Sequence, residues 1–323
     1  MTYIQLPDDI IRPLPFYLAM EEYVARDMDE DDCFFMWQVA PTVIFGRNQL
    51  MENEVNMDYC QQHGIAVYRR KSGGGCVYAD MGNVMLSYVT SGESVQFTYN
   101  RYVSMVTMVL CEMGIDARAT GRNDILIGGA KVSGNAFYHL AGRNVVHGTL
   151  LYDTSMENMT GAITPSREKL QSKGVDSVRQ HITLLKDHTT LTLPEVKEHI
   201  RQRLCRDTLT LTTDAVARIE EMAQEYLGDD FINGNSPRCT ISRRKRIEGV
   251  GEMEVLIEMN HGRIRHVTMR GDYLQTGDLA ALLSRLEGVT LDGEALSNVL
   301  PADMNVVIAG MTRDNFIELL INP

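Results

Sequence analysis

Residues 69–75, Arg69-Arg70-Lys71-Ser72-Gly73-Gly74-Gly75, set three cations and a hydroxyl beside three adjacent glycines. Adjacent glycines are entropically costly to order. They mark places where backbone passes close to another group or takes positive φ. With cations alongside, such a loop can offer its N–H groups to a phosphate or a carboxylate. Its spacing matches neither Gly-x-x-x-x-Gly-Lys-Ser/Thr nor Gly-x-Gly-x-x-Gly. A tight turn with basic flanks is the alternative. A second stretch, residues 121–136, holds Lys131 among the small residues Ser133, Gly134, Asn135 and Ala136. A strand lysine ordinarily faces water, but small neighbours leave room for a ligand. Further on, His147 and Gly148 interrupt the apolar run 144–151, and glycine within a strand often marks a close approach. Cys76, directly after the glycines, is a candidate thiolate nucleophile for a thioester route.

These residues need elements to hold them. Apolar residues at helical spacing from about Pro15 predict an amphipathic helix carrying Glu21 and Glu22. Strands are expected at 33–39 and 42–45, then a short helix at 55–63 closed by Gly64. The strand 65–69 feeds the glycine loop, and another strand follows at 84–90. A helix at 97–113 shows a methionine-rich stripe that reads as core. Gly128-Gly129 predicts a hairpin between a strand at 124–127 and the one bearing Lys131. Later helices are expected at 194–205 and 214–227, with a linker at 233–237. The run Arg243-Arg244-Lys245-Arg246 reads as a solvated face or a docking surface for an acidic partner. The strands 253–259 and 263–269, joined at 261–262, and a helix at 277–286 complete a small α+β unit.

The chain has 323 residues, enough for about two domains. Its net charge of −12 argues against general nucleic-acid binding. No apolar run approaches the ~18 residues of a membrane span. The N-terminus has no basic region or signal-peptide core, so a cytoplasmic protein is expected. The six cysteines include no Cys-x-x-Cys pair, which predicts neither a zinc site nor a disulfide framework.

Taken together, residues 69–83 (Arg-Arg-Lys-Ser-Gly-Gly-Gly-Cys-Val-Tyr-Ala-Asp-Met-Gly-Asn), residues 121–124 (Gly-Arg-Asn-Asp), residues 131–134 (Lys-Val-Ser-Gly) and residues 147–151 (His-Gly-Thr-Leu-Leu) resemble, in order, the signature blocks of the lipoate–protein ligase A family of the lipoyl/biotin protein ligase superfamily. Weaker echoes are Glu21-Glu22, Gly46-Arg47-Asn48-Gln49 and residues 169–183. The resemblance implies an α/β fold of the α+β type. A large mixed-sheet catalytic domain (1–235) would be followed by a small α+β C-terminal domain (245–323). The family's Trp-Glu-Trp-like segment before the last hairpin is absent, and Trp37 is the only tryptophan.

The resemblance also implies a reaction. Lipoate and ATP give lipoyl-AMP and pyrophosphate, and a lysine of a lipoyl domain then takes the acyl group. By resemblance Lys131 is catalytic and contacts both substrates. Arg70, Gly75, Cys76, Val77 and Tyr78 would bind ATP, while Ser72, Gly73, Gly74 and His147 would bind lipoate. Asn83 would line the site, and Asp124 would partner Mg²⁺ or a lysine. The expected partners are lipoyl domains of 2-oxoacid dehydrogenase E2 subunits and the glycine-cleavage H protein, with no nucleic acid and no membrane. Two alternatives stand beside this: a lipoyl or octanoyl transferase that dispenses with ATP, and a non-catalytic binding protein on the same fold.

Overall fold

The computed structural model describes residues 1–49, 51–91, 94–120, 124–163, 182–228, 231–232, 241–260 and 263–321. In chain order the elements are β1 (Thr2–Gln5), α1 (Leu14–Asp27), β2 (Asp32–Trp37), β3 (Thr42–Phe45), α2 (Met51–Glu54), α3 (Met57–Gln62), β4 (Ala66–Arg69), β5 (Val77–Ala79), β6 (Asn83–Ser91) and α4 (Val95–Glu112). Then come β7 (Ala117–Ala119), β8 (Asp124–Ile127), β9 (Ala130–Leu140), β10 (Arg143–Leu151), α5 (Met156–Ala162), α6 (Leu193–Leu204), β11 (Asp207–Thr210) and α7 (Thr213–Ala223). The chain closes with β12 (Ile241–Ile247), β13 (Gly251–Asn260), β14 (Arg263–Gly271), α8 (Leu279–Ser284), α9 (Gly293–Val299) and α10 (Arg313–Ile321). The expected Gly121-Arg122-Asn123 turn, most of the 169–183 echo, the 233–237 linker and the His261-Gly262 turn lie outside the described residues.

An eight-stranded mixed sheet organises the catalytic body, in the order β11-β1-β2-β6-β10-β9-β8-β7. The β11–β1 and β1–β2 pairs are parallel and the rest are antiparallel. Side chains alternate across it. Cys33, Phe35, Trp37, Met85 and Val145 pack under α1 and α7. Phe34, Val84, Leu86, Tyr88 and Val146 pack on α4 and α6. With both faces covered, β10 is buried from end to end. A small sheet, β4-β3-β5, stands beside α3 and α5 over its own apolar cluster. The C-terminal sheet, β12-β13-β14, shares a core with α8, α9 and α10.

The principal elements fall where the sequence places them. Pro15 enters α1 within its first turn, and Ser94 caps α4 by accepting from the Phe97 N–H. Gly128 and Gly129 turn the hairpin at φ 58° and 85°. Four strands were not anticipated. β5, β7 and β11 are too short for their alternation to register. The fourth, β12, contains Arg243, Arg244, Lys245 and Arg246, whose uniform chemistry hides the period of two. Lys245 pairs with Glu318 at 2.6 Å, and Arg244 pairs with Glu252. No helix among the described residues is long and apolar enough to cross a membrane.

Candidate functional site

Strand register builds a slot that crosses the sheet. Trp37 pairs with Met85, Met85 with Thr149, Thr149 with Gly134, and Gly134 with Asp124. The neighbouring row runs Phe35, Ser87, His147, Ala136. Alternation puts both rows on the face turned toward α1. Trp37, Leu18, Met85, Ile44 and Val77 line a cleft that also touches Arg70, Lys131, Gly134, Thr149, His147 and residues 74–76. From β2 to β9 the row spans three strand spacings, roughly 14 Å. One end is walled by the buried Trp37, stacked on Tyr17 at 4.9 Å. The other end carries a cation.

That cation is Lys131, 2.7 Å from Asp124 Oδ1. The β8–β9 ladder skips a residue here, so Leu126 faces Lys131 and Ile125 faces Ser133. Such a bulge re-aims side chains. The lysine then lies across Gly134: a Cβ at that position would stand 2.7 Å from Lys131 Nζ and 2.8 Å from Cε. The backbone of Lys131 is held by Thr183, whose N–H donates to its carbonyl at 2.9 Å. Gly134→Ala should therefore displace the ammonium without disturbing the core. For the adenylate-forming reaction that the resemblance implies, we expect a loss of about 10–100-fold. The melting temperature should change by no more than about 2 °C, as thermal unfolding beside a pyrophosphate-exchange assay would show.

The glycine loop is held by Arg70, which is 5% exposed. Its Nε donates to Ser72 Oγ at 2.9 Å and its Nη1 to the Ile44 carbonyl at 3.0 Å. Its Nη2 donates to the Gly73 and Gly75 carbonyls, both at 2.7 Å. Burial lowers the guanidinium pKa to about 10. Gly74 adopts φ 85°, where a side chain would be strained. Its N–H donates to the Tyr273 carbonyl at 3.2 Å, so the chain just after β14 rests directly on the loop. At Gly73 a Cβ would lie 2.8 Å from that same carbonyl. Gly73 thus faces the C-terminal unit, whereas Gly74 and Gly75 line the cleft.

The flanking cations serve the scaffold. Arg69 donates to the carbonyls of Arg47, Gln49 and Ile232. Lys71 bridges Glu22 at 2.6 Å and Glu225 at 2.9 Å. Val77 lines the cleft; Tyr78 is buried, and its hydroxyl accepts from Asn158. The buried Asn83 amide donates to the Tyr78 carbonyl, outside the cleft lining. Arg47 is exposed and borders a separate cleft with Lys71 and Gly73.

His147 is the residue whose surroundings sequence reading most undervalued. Its Nε2 meets Ser72 Oγ at 2.7 Å, and its Nδ1 meets the Glu21 carboxylate at 2.9 Å. Glu21 is fully buried and also accepts from Ser87 Oγ (2.6 Å) and the Tyr138 hydroxyl (3.2 Å). Trp37 Nε1 donates to Ser87 at 2.9 Å. The one sequence hint was Glu21-Glu22 within a helix; their burial was not foreseen.

Cys76 is half-buried at the cleft edge. The imidazole in that lining, His147, is already engaged by Ser72 and Glu21. If the chain lipoylates as the resemblance implies, Cys76→Ala should keep that activity within about threefold of the unmodified protein; loss of turnover would restore the thioester route. Among the described residues, no group of three or more His, Cys, Asp or Glu side chains gathers as a metal site.

Comparison with known proteins agrees with this geometry. Residues 13–205 match the family model described as lipoyl protein ligase A/B catalytic domain, and residues 236–320 match bacterial lipoate protein ligase C-terminus. The chain belongs to the lipoate–protein ligase family. Among its relatives, lipoate-protein ligase LplJ of Bacillus subtilis is 29% identical over 94% of this chain and 95% of its own. Lipoate–protein ligase 1 of Staphylococcus aureus is 30% identical, covering 94% of this chain and 95% of its own. The solved structure of P. falciparum LipL1 in complex with lipoate superposes with a TM-score of 0.77 at 18% identity, over 98% of this chain and 97% of that one. At that identity it establishes the shared fold.

Proposed function

We infer that this protein is an ATP-dependent lipoate–protein ligase. One observation carries the reading. A slim, mostly apolar slot closed by Trp37 opens beside a glycine loop and a lysine cation. An acid with a hydrocarbon body fits it with the carboxylate at Lys131. Activation brings that carboxylate against the α-phosphate of ATP, and both are anionic. Lys131 offsets the repulsion and stabilises charge as it develops on the phosphoryl oxygens. The carboxylate oxygen bonds to phosphorus, pyrophosphate leaves, and lipoyl-AMP remains. The ε-amine of an acceptor lysine then attacks the acyl carbon, and AMP departs. No enzyme nucleophile is required.

We assign the lipoate contacts to Lys131, Gly74 and His147, with Ser72 and Gly73 shaping the loop behind them. Nucleotide contacts are assigned to Lys131 and the backbone of residues 75–78, on a loop whose shape Arg70 fixes. Asp124 offers a single carboxylate at the slot mouth, which suits a hard cation held mainly by phosphate oxygens. Mg²⁺ would supply charge neutralisation on the triphosphate there. The catalytic unit spans 1–235 and the accessory unit 245–323, a division supported by the separate C-terminal core. The acceptors are lipoyl domains of 2-oxoacid dehydrogenase E2 subunits and the glycine-cleavage H protein, met in the cytoplasm.

The test is to incubate the protein with lipoate, Mg²⁺ and an apo lipoyl domain, with and without ATP, and weigh the acceptor. One lipoyl group gained only with ATP is the expected result. A gain without ATP from a pre-loaded donor protein would establish the transferase instead.

A further inference from the structure

We infer that Glu21 is a positioning residue for the nucleotide loop, acting from the buried side of the acyl slot through His147, Ser72 and Arg70. The inference rests on the ligase reading above and adds to it a residue that touches neither substrate.

Glu21 does not line the cleft; His147 stands between them. A carboxylate only accepts, so His147 Nδ1–H donates to Glu21. In the neutral ring Nε2 then accepts the Ser72 hydroxyl, whose oxygen in turn accepts from Arg70 Nε. Each member has its direction set by the one before, and the last grips the Gly73 and Gly75 carbonyls. The series begins at the blind end of the slot, since Trp37 donates to Ser87 and Ser87 to Glu21. It crosses large sequence separations, from residue 21 to 147 and from 147 to 72.

The cost of the arrangement argues for function. Taking a carboxylate wholly out of water is expensive, and well-packed apolar replacements of buried ion networks are often neutral or stabilising. Glu21 is 0% exposed, so a helix built for stability alone would carry an apolar residue there. The adjacent Glu22, turned about 100° around the same helix, ion-pairs with Lys71. Successive carboxylates of α1 thus hold residues 70–72 from two sides, one through the imidazole and one directly.

Glu21→Gln keeps the shape and removes the charge; Ser72→Ala removes the next link. Pyrophosphate exchange gives kcat and KM for ATP, and quenching of Trp37 fluorescence gives lipoate affinity without ATP. Each single variant should lower kcat/KM for ATP by about 30-fold and change lipoate affinity by less than about fivefold. Because both break one series, the double variant should also lose only about 30–50-fold, where independent effects would multiply to about 900-fold. A multiplicative double loss, a single variant within threefold of the unmodified protein, or equal losses for lipoate and ATP would overturn the inference. If Glu21→Gln does not fold, the His147→Gln and Ser72→Ala pair is judged on the same thresholds for ATP. An unmodified protein without lipoate-dependent exchange overturns both this inference and the ligase reading. Normal exchange with an additive cycle overturns this inference alone.

Discussion

Lys131→Ala is expected to lower lipoate-dependent exchange of pyrophosphate into ATP by about 10³-fold, at the upper end of what loss of one oxyanion-stabilising donor costs. The slot mouth brings two anionic groups together, and of the two cations lining the slot, Arg70 has its donors turned onto Ser72 and backbone carbonyls while Lys131 faces the mouth. Stability should barely change. The Lys131–Asp124 pair is about one-third exposed on each side, and such pairs contribute roughly 0–1 kcal/mol. Supplying chemically made lipoyl-AMP with an apo lipoyl domain separates the half-reactions. The variant should recover much more activity there than from free acid and ATP. Wild-type exchange in Lys131→Ala would remove the lysine from the chemistry.

Arg70→Lys should be nearly as damaging, for a different reason. The guanidinium spans four acceptors: Ser72 Oγ and the carbonyls of Ile44, Gly73 and Gly75. Lysine is a point charge on a flexible stem and cannot reproduce that fork. Each buried acceptor left unmet costs about 1–3 kcal/mol. A net loss of about 3–5 kcal/mol in urea unfolding is expected, with kcat/KM for ATP down at least about 100-fold. Since Gly74 is held at positive φ between Arg70 and the Tyr273 carbonyl, the loop should lose its shape before the sheet does. A variant with unchanged ATP kinetics would show that Arg70 does not set the loop's geometry.

The difference between these two cations explains what sequence could and could not reveal. Lys131 was legible because its small neighbours, Ser133, Gly134 and Ala136, are local in the chain. Arg70 was legible as a cation beside glycines, and that pattern suggests contact with an anion. The structure instead turns its donors onto the loop's own carbonyls, which depends on Ile44 and the turn geometry. Glu21 was harder. A glutamate on an amphipathic helix reads as solvent-facing until Ser87 and His147, 66 and 126 residues away, are brought to it. Trp37 likewise became the blind end of a slot only through strand register. The inner strands of the large sheet and two strands of the C-terminal unit were legible from β-rich runs and glycine turns, while their assembly into one mixed sheet followed from the family resemblance. β12 was not, because its basic run shows no contrast between faces.

The slot crosses the strands instead of following one. On the proposed reading, the acid lies over β2, β6, β10 and β9 in turn, and the sheet serves as a ruler. Its divisions are the roughly 4.8 Å between neighbouring strands, fixed by backbone hydrogen bonding. Side-chain drift along a strand does not alter that spacing. Coarse chain length is then counted in whole strands, a property of topology that survives extensive substitution. Fine adjustment falls to the residue on the last strand, Trp37. Two proteins could keep this sheet, diverge in most side chains, and still measure acids of the same length.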